Sequence, residues 1–104
     1  MADDAGTTVT RNDEKHRYEI HVEGTVAGYT EFEADASGRT VLPHTVIDPA
    51  FEGRGLGKVL VGDALADLAA RDEEIVPTCP FVLRYLAKTE VPGLRVARRS
   101  TDAE

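Results

Sequence analysis

The feature that most constrains this chain is the run Glu52-Gly53-Arg54-Gly55-Leu56-Gly57-Lys58, set between a β-branched stretch and an amphipathic one. Glycines at alternate positions let the backbone turn sharply and approach a ligand closely. Upstream, Thr40 to Ile47 is apolar and β-branched enough for a central strand, which Asp48-Pro49 ends. Pro43 lacks the ladder donor and predicts a bulge or local break in pairing directly before His44. Downstream, Leu56, Val59, Leu60, Ala64, Leu65 and Leu68 recur at helical spacing, with Lys58, Asp63, Asp67 and Arg71 elsewhere on the wheel. That pattern predicts a helix of about four turns. In such a strand, loop and helix, consecutive N–H groups and the positive helix end can cradle a phosphate. On the pattern alone, a glycine-rich turn with no ligand is the alternative. No Gly-Lys-Ser/Thr closes the run, so it is not a Walker loop.

The flanking segments set the fold class. Tyr18, Ile20 and Val22 alternate with Glu19, His21 and Glu23, the period of a half-buried strand, and Gly24 marks a tight connection to a second extended run, Val26 to Ala34. Tyr29 and Phe32 are expected to pack on opposite faces of that run. Ala36-Ser37-Gly38-Arg39 is a second turn. Ile75-Val76 is a short strand candidate, Pro80 suits the first turn of a second helix carrying Phe81, Val82, Tyr85 and Leu86, and Leu94 to Ala97 suits a last short strand. The order predicts an α+β (α/β) domain over residues 16–99, with helices packed on a sheet that begins as an antiparallel meander. That meander argues against a dinucleotide fold. Residues 1–15 read as a mobile lead-in or a short edge strand, and residues 100–104 as a frayed tail.

Composition excludes several classes. With 104 residues there is room for one core, and 12 Lys and Arg against 19 Asp and Glu leave a net charge of -7. That balance disfavours nucleic-acid and anionic-membrane partners, while an anionic ligand held locally stays open. Cys79, the 1 cysteine, rules out an internal disulfide and a zinc-finger ligand set, so no metal is expected. The chain shows neither a signal-peptide pattern nor an apolar run long enough to span a membrane, and a cytoplasmic setting is the default expectation.

The segment Ile47-Asp48-Pro49-Ala50-Phe51-Glu52-Gly53-Arg54-Gly55-Leu56-Gly57-Lys58 resembles the acetyl-CoA-binding motif of the Gcn5-related N-acetyltransferases. In that family a strand ending in Val-x-Pro is followed by Gln/Arg-Gly-x-Gly-x-Gly/Ala opening a helix. Glu52 departs from the pattern, standing where the family usually has Gln or Arg. His44-Thr45 before the motif and Cys79-Pro80-Phe81 after the next strand make the chain similar to the small single-domain branch often called YjdJ-type. The resemblance runs from about Tyr18 to Leu94. It implies a minimal fold of that family: a mixed, mostly antiparallel sheet with two central parallel strands, Thr40 to Ile47 and Glu74 to Thr78, splayed apart. It also implies shortness on the acceptor side, where full members carry two N-terminal helices.

The resemblance implies acetyl-CoA as co-substrate, with Gly53, Arg54, Gly55, Leu56, Gly57 and Lys58 on its pyrophosphate and Thr45, Val46 and Ile47 along pantetheine and the acetyl end. Acetyl transfer to an amine needs a neutral nucleophile, a polarised thioester carbonyl and a proton for the departing thiolate. Cys79, at a helix start, could serve as nucleophile or as proton donor, or could be a small buried core residue. His44 could take the acceptor's proton or pair with Cys79. Tyr85 stands where many members carry the tyrosine that protonates CoA, against a plain core role. Arg95, Arg98 and Arg99 read as a solvated basic edge. The implied function is N-acetylation of a small-molecule or protein amine, with room for a homodimer to complete the reduced acceptor half. A module that binds acyl-CoA or scaffolds a partner without turnover is the second reading, and an interaction domain with no ligand is the third.

Overall fold

The computed structural model of the chain describes residues 6–97. Two four-stranded sheets form. In the first, β1 (Thr7–Asn12), β2 (Arg17–Val22), β3 (Thr25–Glu31) and β6 (Thr45–Ile47) lie side by side and antiparallel. In the second, β4 (Glu33–Ala34) runs antiparallel to β5 (Thr40–Leu42), which is parallel to β7 (Glu74–Pro77), itself parallel to β8 (Arg95–Val96). Helices α1 (Leu56–Ala70) and α2 (Pro80–Lys88) complete the mixed α+β architecture. No helix among the described residues is long and apolar enough to cross a membrane.

The local chemistry of the sequence accounts for most of these elements. Glu23 and Gly24 both take positive φ, 50° and 84°, as a two-residue hairpin between β2 and β3 requires. The turn before β5 is closed by Asp35, whose Oδ1 accepts the Ser37 and Arg39 N–H groups at 2.8 and 2.9 Å. Pro80 opens α2, where a missing N–H costs nothing. Residues 7–12, within the segment read as a mobile lead-in or a short edge strand, form the edge strand β1. Alternating threonine and valine favour an extended backbone, and the Arg11 guanidinium lies 4.4 Å from the Phe32 ring centroid. Residues 1–5 and the expected tail at 100–104 lie outside the described residues.

Two departures from strict alternation follow from pairing. Glu19, on the polar side of the β2 pattern, is buried, because Arg17, Asn12 and His21 hold its carboxylate at 2.8, 3.2 and 3.3 Å. The expected strand Thr40 to Ile47 is two strands in different sheets, separated at Pro43-His44.

The core is the seam between the first sheet and α1. Tyr18, Ile20, Ala27 and Phe32 meet Leu60, Val61, Ala64, Leu65 and Leu68, and Leu42, Ile75 and Val82 extend the cluster toward α2. A polar clamp closes its edge. The Tyr18 hydroxyl donates to Asp67 Oδ2 at 2.6 Å, Arg11 donates to the Tyr18 oxygen at 3.0 Å, and Arg71 donates to the same Asp67 oxygen at 2.7 Å. Burial, reinforced by the carboxylate, pushes the Tyr18 phenol far above its ordinary pKa, so it remains a neutral donor.

Tyr18→Phe keeps the packing and removes the donor, so chemical denaturation is expected to show a loss of about 1–2 kcal/mol; a change near zero would mean that Arg71 alone satisfies Asp67. Burial raises the Asp67 pKa, but the Tyr18 and Arg71 donors outweigh it and hold the carboxylate below its ordinary value. A depressed folded pKa contributes stability above the unfolded value and loses it as pH falls through the folded one. Asp67→Asn should therefore flatten the decline of stability below about pH 4; a wild-type slope in the variant would assign the decline to other carboxylates.

Candidate active site at the strand opening

The break at Pro43 creates the site. Up to Leu42, β5 and β7 pair in register, with Thr40 opposite Ile75 and Leu42 opposite Pro77. The Leu42 carbonyl is the last joint, accepting the Thr78 and Cys79 N–H groups at 3.3 and 2.9 Å. Beyond it the two chains part: β6 turns to pair with β3, while Cys79 leads into α2. On β6 the His44 carbonyl accepts from Glu31 N–H at 2.8 Å and Asp48 N–H donates to the Ala27 carbonyl at 2.7 Å. Backbone groups alternate in direction along a strand, so those of His44, Val46 and Asp48 face β3, and those of Thr45 and Ile47 face the gap. Among the described residues no strand pairs with that edge of β6.

The glycine loop closes the opening from one side. Asp48 Oδ1 accepts the Ala50 N–H at 2.9 Å and so starts the short 3-10 turn Pro49–Phe51. Gly53 and Gly55 then take φ of +88° and +73°, and a Cβ at either would meet nothing within 4 Å. The conformation requires glycine, and both positions look onto open space. Gly55 is the N-cap of α1, and the N–H groups of Leu56, Gly57 and Lys58 in its first turn have no intrahelical acceptor. Together these elements bound a cleft of about 470 Å³, lined by Thr45 and Ile47 on β6, by the loop and first turn of α1, and by Phe81. That volume lies within the usual range for small-molecule sites.

Glycines also seat the second helix. A Cβ on Gly57 would lie 2.5 Å from Phe81 Cζ, and one on Gly62 would lie 2.7 Å from the Tyr85 hydroxyl oxygen, so α2 packs its aromatics into two notches on α1.

The residues expected at a cofactor site are only partly gathered. Thr45, Ile47, Gly53, Gly55, Leu56, Gly57 and Lys58 line the cleft. Val46, between Thr45 and Ile47, turns its side chain to the other face of the strand. Arg54 places its guanidinium 5.3 Å from the Phe51 ring centroid. Cys79 caps α2 and is 4% exposed, and its Sγ donates to Thr45 Oγ1 at 3.4 Å, which sets the thiol one residue behind the cleft wall. Thr45 Oγ1 in turn lies 2.8 Å from Thr30 Oγ1, and the Thr30 hydroxyl donates to the His44 carbonyl at 3.4 Å. His44 is exposed, and among the described residues Thr45 rather than the His44 imidazole is the thiol's partner. Tyr85 faces a neighbouring groove, not this cleft. Arg95 pairs with Asp72 at 3.0 Å beyond the C-terminal end of α1, about 22 Å from the loop for a helix of 15 residues. Arg98 and Arg99 lie outside the described residues.

The sequence reading overlooked Phe81, which walls the cleft, and Thr30, which ends the hydroxyl chain. Phe81 opposite a glycine four residues past the loop's first was a signal that side-chain volume on α2 was matched to a notch on α1.

A family model described as GCN5-related N-acetyl-transferase matches residues 17–91. The chain belongs to that family, whose chemistry is acyl-CoA-dependent acetyl transfer. No curated protein matches it.

Gly55→Glu projects a carboxylate into the cleft beside the free N–H groups and is expected to weaken acetyl-CoA binding at least about tenfold in calorimetry. Gly55→Ala carries the same φ penalty without the charge and should retain most of the affinity. Equal affinities for wild type and Gly55→Glu would remove the loop from the binding site.

Proposed function

We propose that this chain binds acetyl-CoA in the strand opening and transfers its acetyl group to an amine. The supporting observation is the continuity of two sets of unpaired backbone groups within one cleft: the inner edge of β6 and the first-turn donors of α1. N–H groups from Gly53 to Lys58 suit a pyrophosphate, whose charge the α1 N-terminus complements. The Thr45 and Ile47 amide groups then suit the amides of pantetheine, and an N–H on that edge can polarise the thioester carbonyl. The Cys79-to-Thr45 contact supports the small single-domain branch as the fitting subgroup.

The hydrogen-bond chain behind the cleft has a direction. A carbonyl only accepts, so the Thr30 hydroxyl donates to His44 O, Thr45 donates to Thr30, and Cys79 S–H donates to Thr45. Cys79 thus stands at the donor end of the chain. We assign it to proton supply: as the C–S bond of the thioester breaks, Thr45 turns its proton to the departing sulfur and takes one from Cys79, and after CoA leaves the Cys79 thiolate regains a proton from water in the cleft through Thr45. The amine's proton passes to water, and the exposed His44 imidazole, which directly precedes β6, is a candidate to receive it. Tyr85 serves packing against Gly62. The net charge of -7 favours a cationic acceptor such as a polyamine or a lysine side chain.

One observation favours a second reading, a binding module without turnover: among the described residues Glu52 and Lys58 are the only titratable side chains that line the cleft. Release of CoA thiol from acetyl-CoA across an amine panel separates the two. Turnover is expected, with Thr45→Val and Cys79→Ala each lowering kcat by about 10²-fold at little change in KM for acetyl-CoA, and Cys79→Ser retaining the larger share. Intact mass after incubation with acetyl-CoA should show no adduct. Tight binding without turnover supports the module, and an acetyl adduct that Cys79→Ala abolishes would make the thiol a nucleophile instead.

A further inference from the structure

The first sheet ends in an open strand. The Glu23 N–H donates to the Gly6 carbonyl at 2.7 Å, so alternation along β1 turns the backbone groups of Thr8, Thr10 and Asn12 toward β2 and those of Thr7, Val9 and Arg11 outward. Among the described residues no strand pairs with that outer side. Its length sets it apart: β1 has 6 residues, whereas β4 and β8, which end the second sheet, have 2 each. The free edge at the other end of the first sheet, on β6, lines the cleft.

Exposed edges are usually blunted by lysine, proline or a bulge. Thr7–Asn12 carries neither residue, and its register with β2 runs without a shift. Its one charge, Arg11, is neutralised by Asp13 at 2.7 Å. The strand is also a match for itself. In an antiparallel pair of two copies with Val9 facing Val9, Thr7 lies opposite Arg11 and Thr8 opposite Thr10, so the outward N–H and C=O groups of Thr7, Val9 and Arg11 on each copy all find partners. No like charges oppose one another in that register. A pair centred on Thr8 sets Arg11 opposite position 5, before the strand starts, and one centred on Thr10 sets Thr7 opposite Asp13, after it ends. With Val9 at the centre, its half-buried side chain meets its counterpart on the core side, and the exposed Thr8 and Thr10 hydroxyls meet on the solvent side.

We infer that β1 is the edge through which a second copy of this chain binds: two copies join antiparallel along Thr7–Asn12, with Val9 on the two-fold axis, and their first sheets become one. The inference stands independently of the acetyl-CoA reading. Because β6 is the far strand of each first sheet, strand spacings put the two clefts about 34 Å apart, and neither copy borders the other's cleft. Such a pair covers the open edge and leaves the acceptor side of each copy as it was.

Sedimentation velocity over about a hundredfold dilution series tests it, and wild type is expected to pass from dimer to monomer as it is diluted. Thr8→Lys/Thr10→Lys sets lysine opposite lysine across the seam on its solvent side and should weaken the dimer at least about tenfold, as should Thr8→Glu/Thr10→Glu. An equimolar mixture of those two variants should restore the dimer. Thr8→Lys/Thr10→Glu in a single chain sets opposite charges across the seam and should tighten it. In hydrogen exchange of wild type, the amides of Thr7, Val9 and Arg11 should gain protection as concentration rises, while those of Thr8 and Thr10 stay protected throughout. A monomer at every concentration would overturn the inference and leave the edge to a strand from a different protein. A dimer that the lysine pair leaves intact would overturn it too, by placing the contact on another surface. Protection of the outward amides that ignores concentration would show the edge covered within one chain, with the same result for the inference.

Discussion

The Leu42 carbonyl and the proline after it hold the functional geometry together. As the last shared acceptor of β5 and β7, that carbonyl receives the Thr78 and Cys79 N–H groups and keeps the parallel strands in register to the point where they separate. Pro43 has no N–H to extend the ladder, so separation begins there. Were β5 to continue beside β7, the inner edge of β6 would be consumed in pairing and no cleft would form. Because β6 instead pairs with β3, the segment Thr40 to Ile47 gives one strand to each sheet, and among the described residues one edge of β6 is left free.

The parting of the strands is also where the buried polar chain runs. Thr30 is 1% exposed and Cys79 is 4% exposed, so neither can rely on water for its hydrogen bond. Thr45 answers both, and the His44 carbonyl gives the chain an end that can only accept. One consequence is that the thiol and the strand break are coupled: the residue that turns away from the sheet at Pro43 supplies the carbonyl that orients the hydroxyls leading back to Cys79. A side chain at position 45 must therefore accept from sulfur, donate to Thr30 and line the cleft at once, and threonine or serine meets all three.

Several of these features were legible in the sequence, each because a single residue type leaves few options. Pro43 announced the break, the alternating glycines announced the loop, and Pro80 announced the start of α2. What escaped were features decided by partners distant in the chain. Residues 7–12 carry too few apolar positions to decide between a lead-in and a short edge strand, and they form the strand because β2 offers an edge. Glu19 lies on the polar side of its alternation and is buried because Arg17 and Asn12 converge on it. His44 and Cys79 looked like a pair by family landmark, yet alternation along β6 gives the contact to the neighbouring Thr45. Spacing reports which face a residue takes, and only the fold reports what waits on that face.

Charge follows the same logic. A total of -7 describes how the molecule meets a polyanion at a distance beyond the Debye length, about 8 Å at physiological ionic strength. Within that length the local arrangement governs: among the described residues Arg11, Arg17, Arg39, Arg71 and Arg95 are paired with carboxylates, and Arg54 and Lys58 stand at the glycine loop. The loop donors need such company, because Glu52 brings a carboxylate to the rim of the cleft where the family motif carries a neutral or positive side chain. A phosphate approaching the loop meets that repulsion on one side and the Lys58 charge on the other. Backbone donors alone are indifferent to side-chain identity, but the field around them is not, so the Glu52 carboxylate and the Lys58 ammonium on the cleft wall act in opposite senses on an anion there.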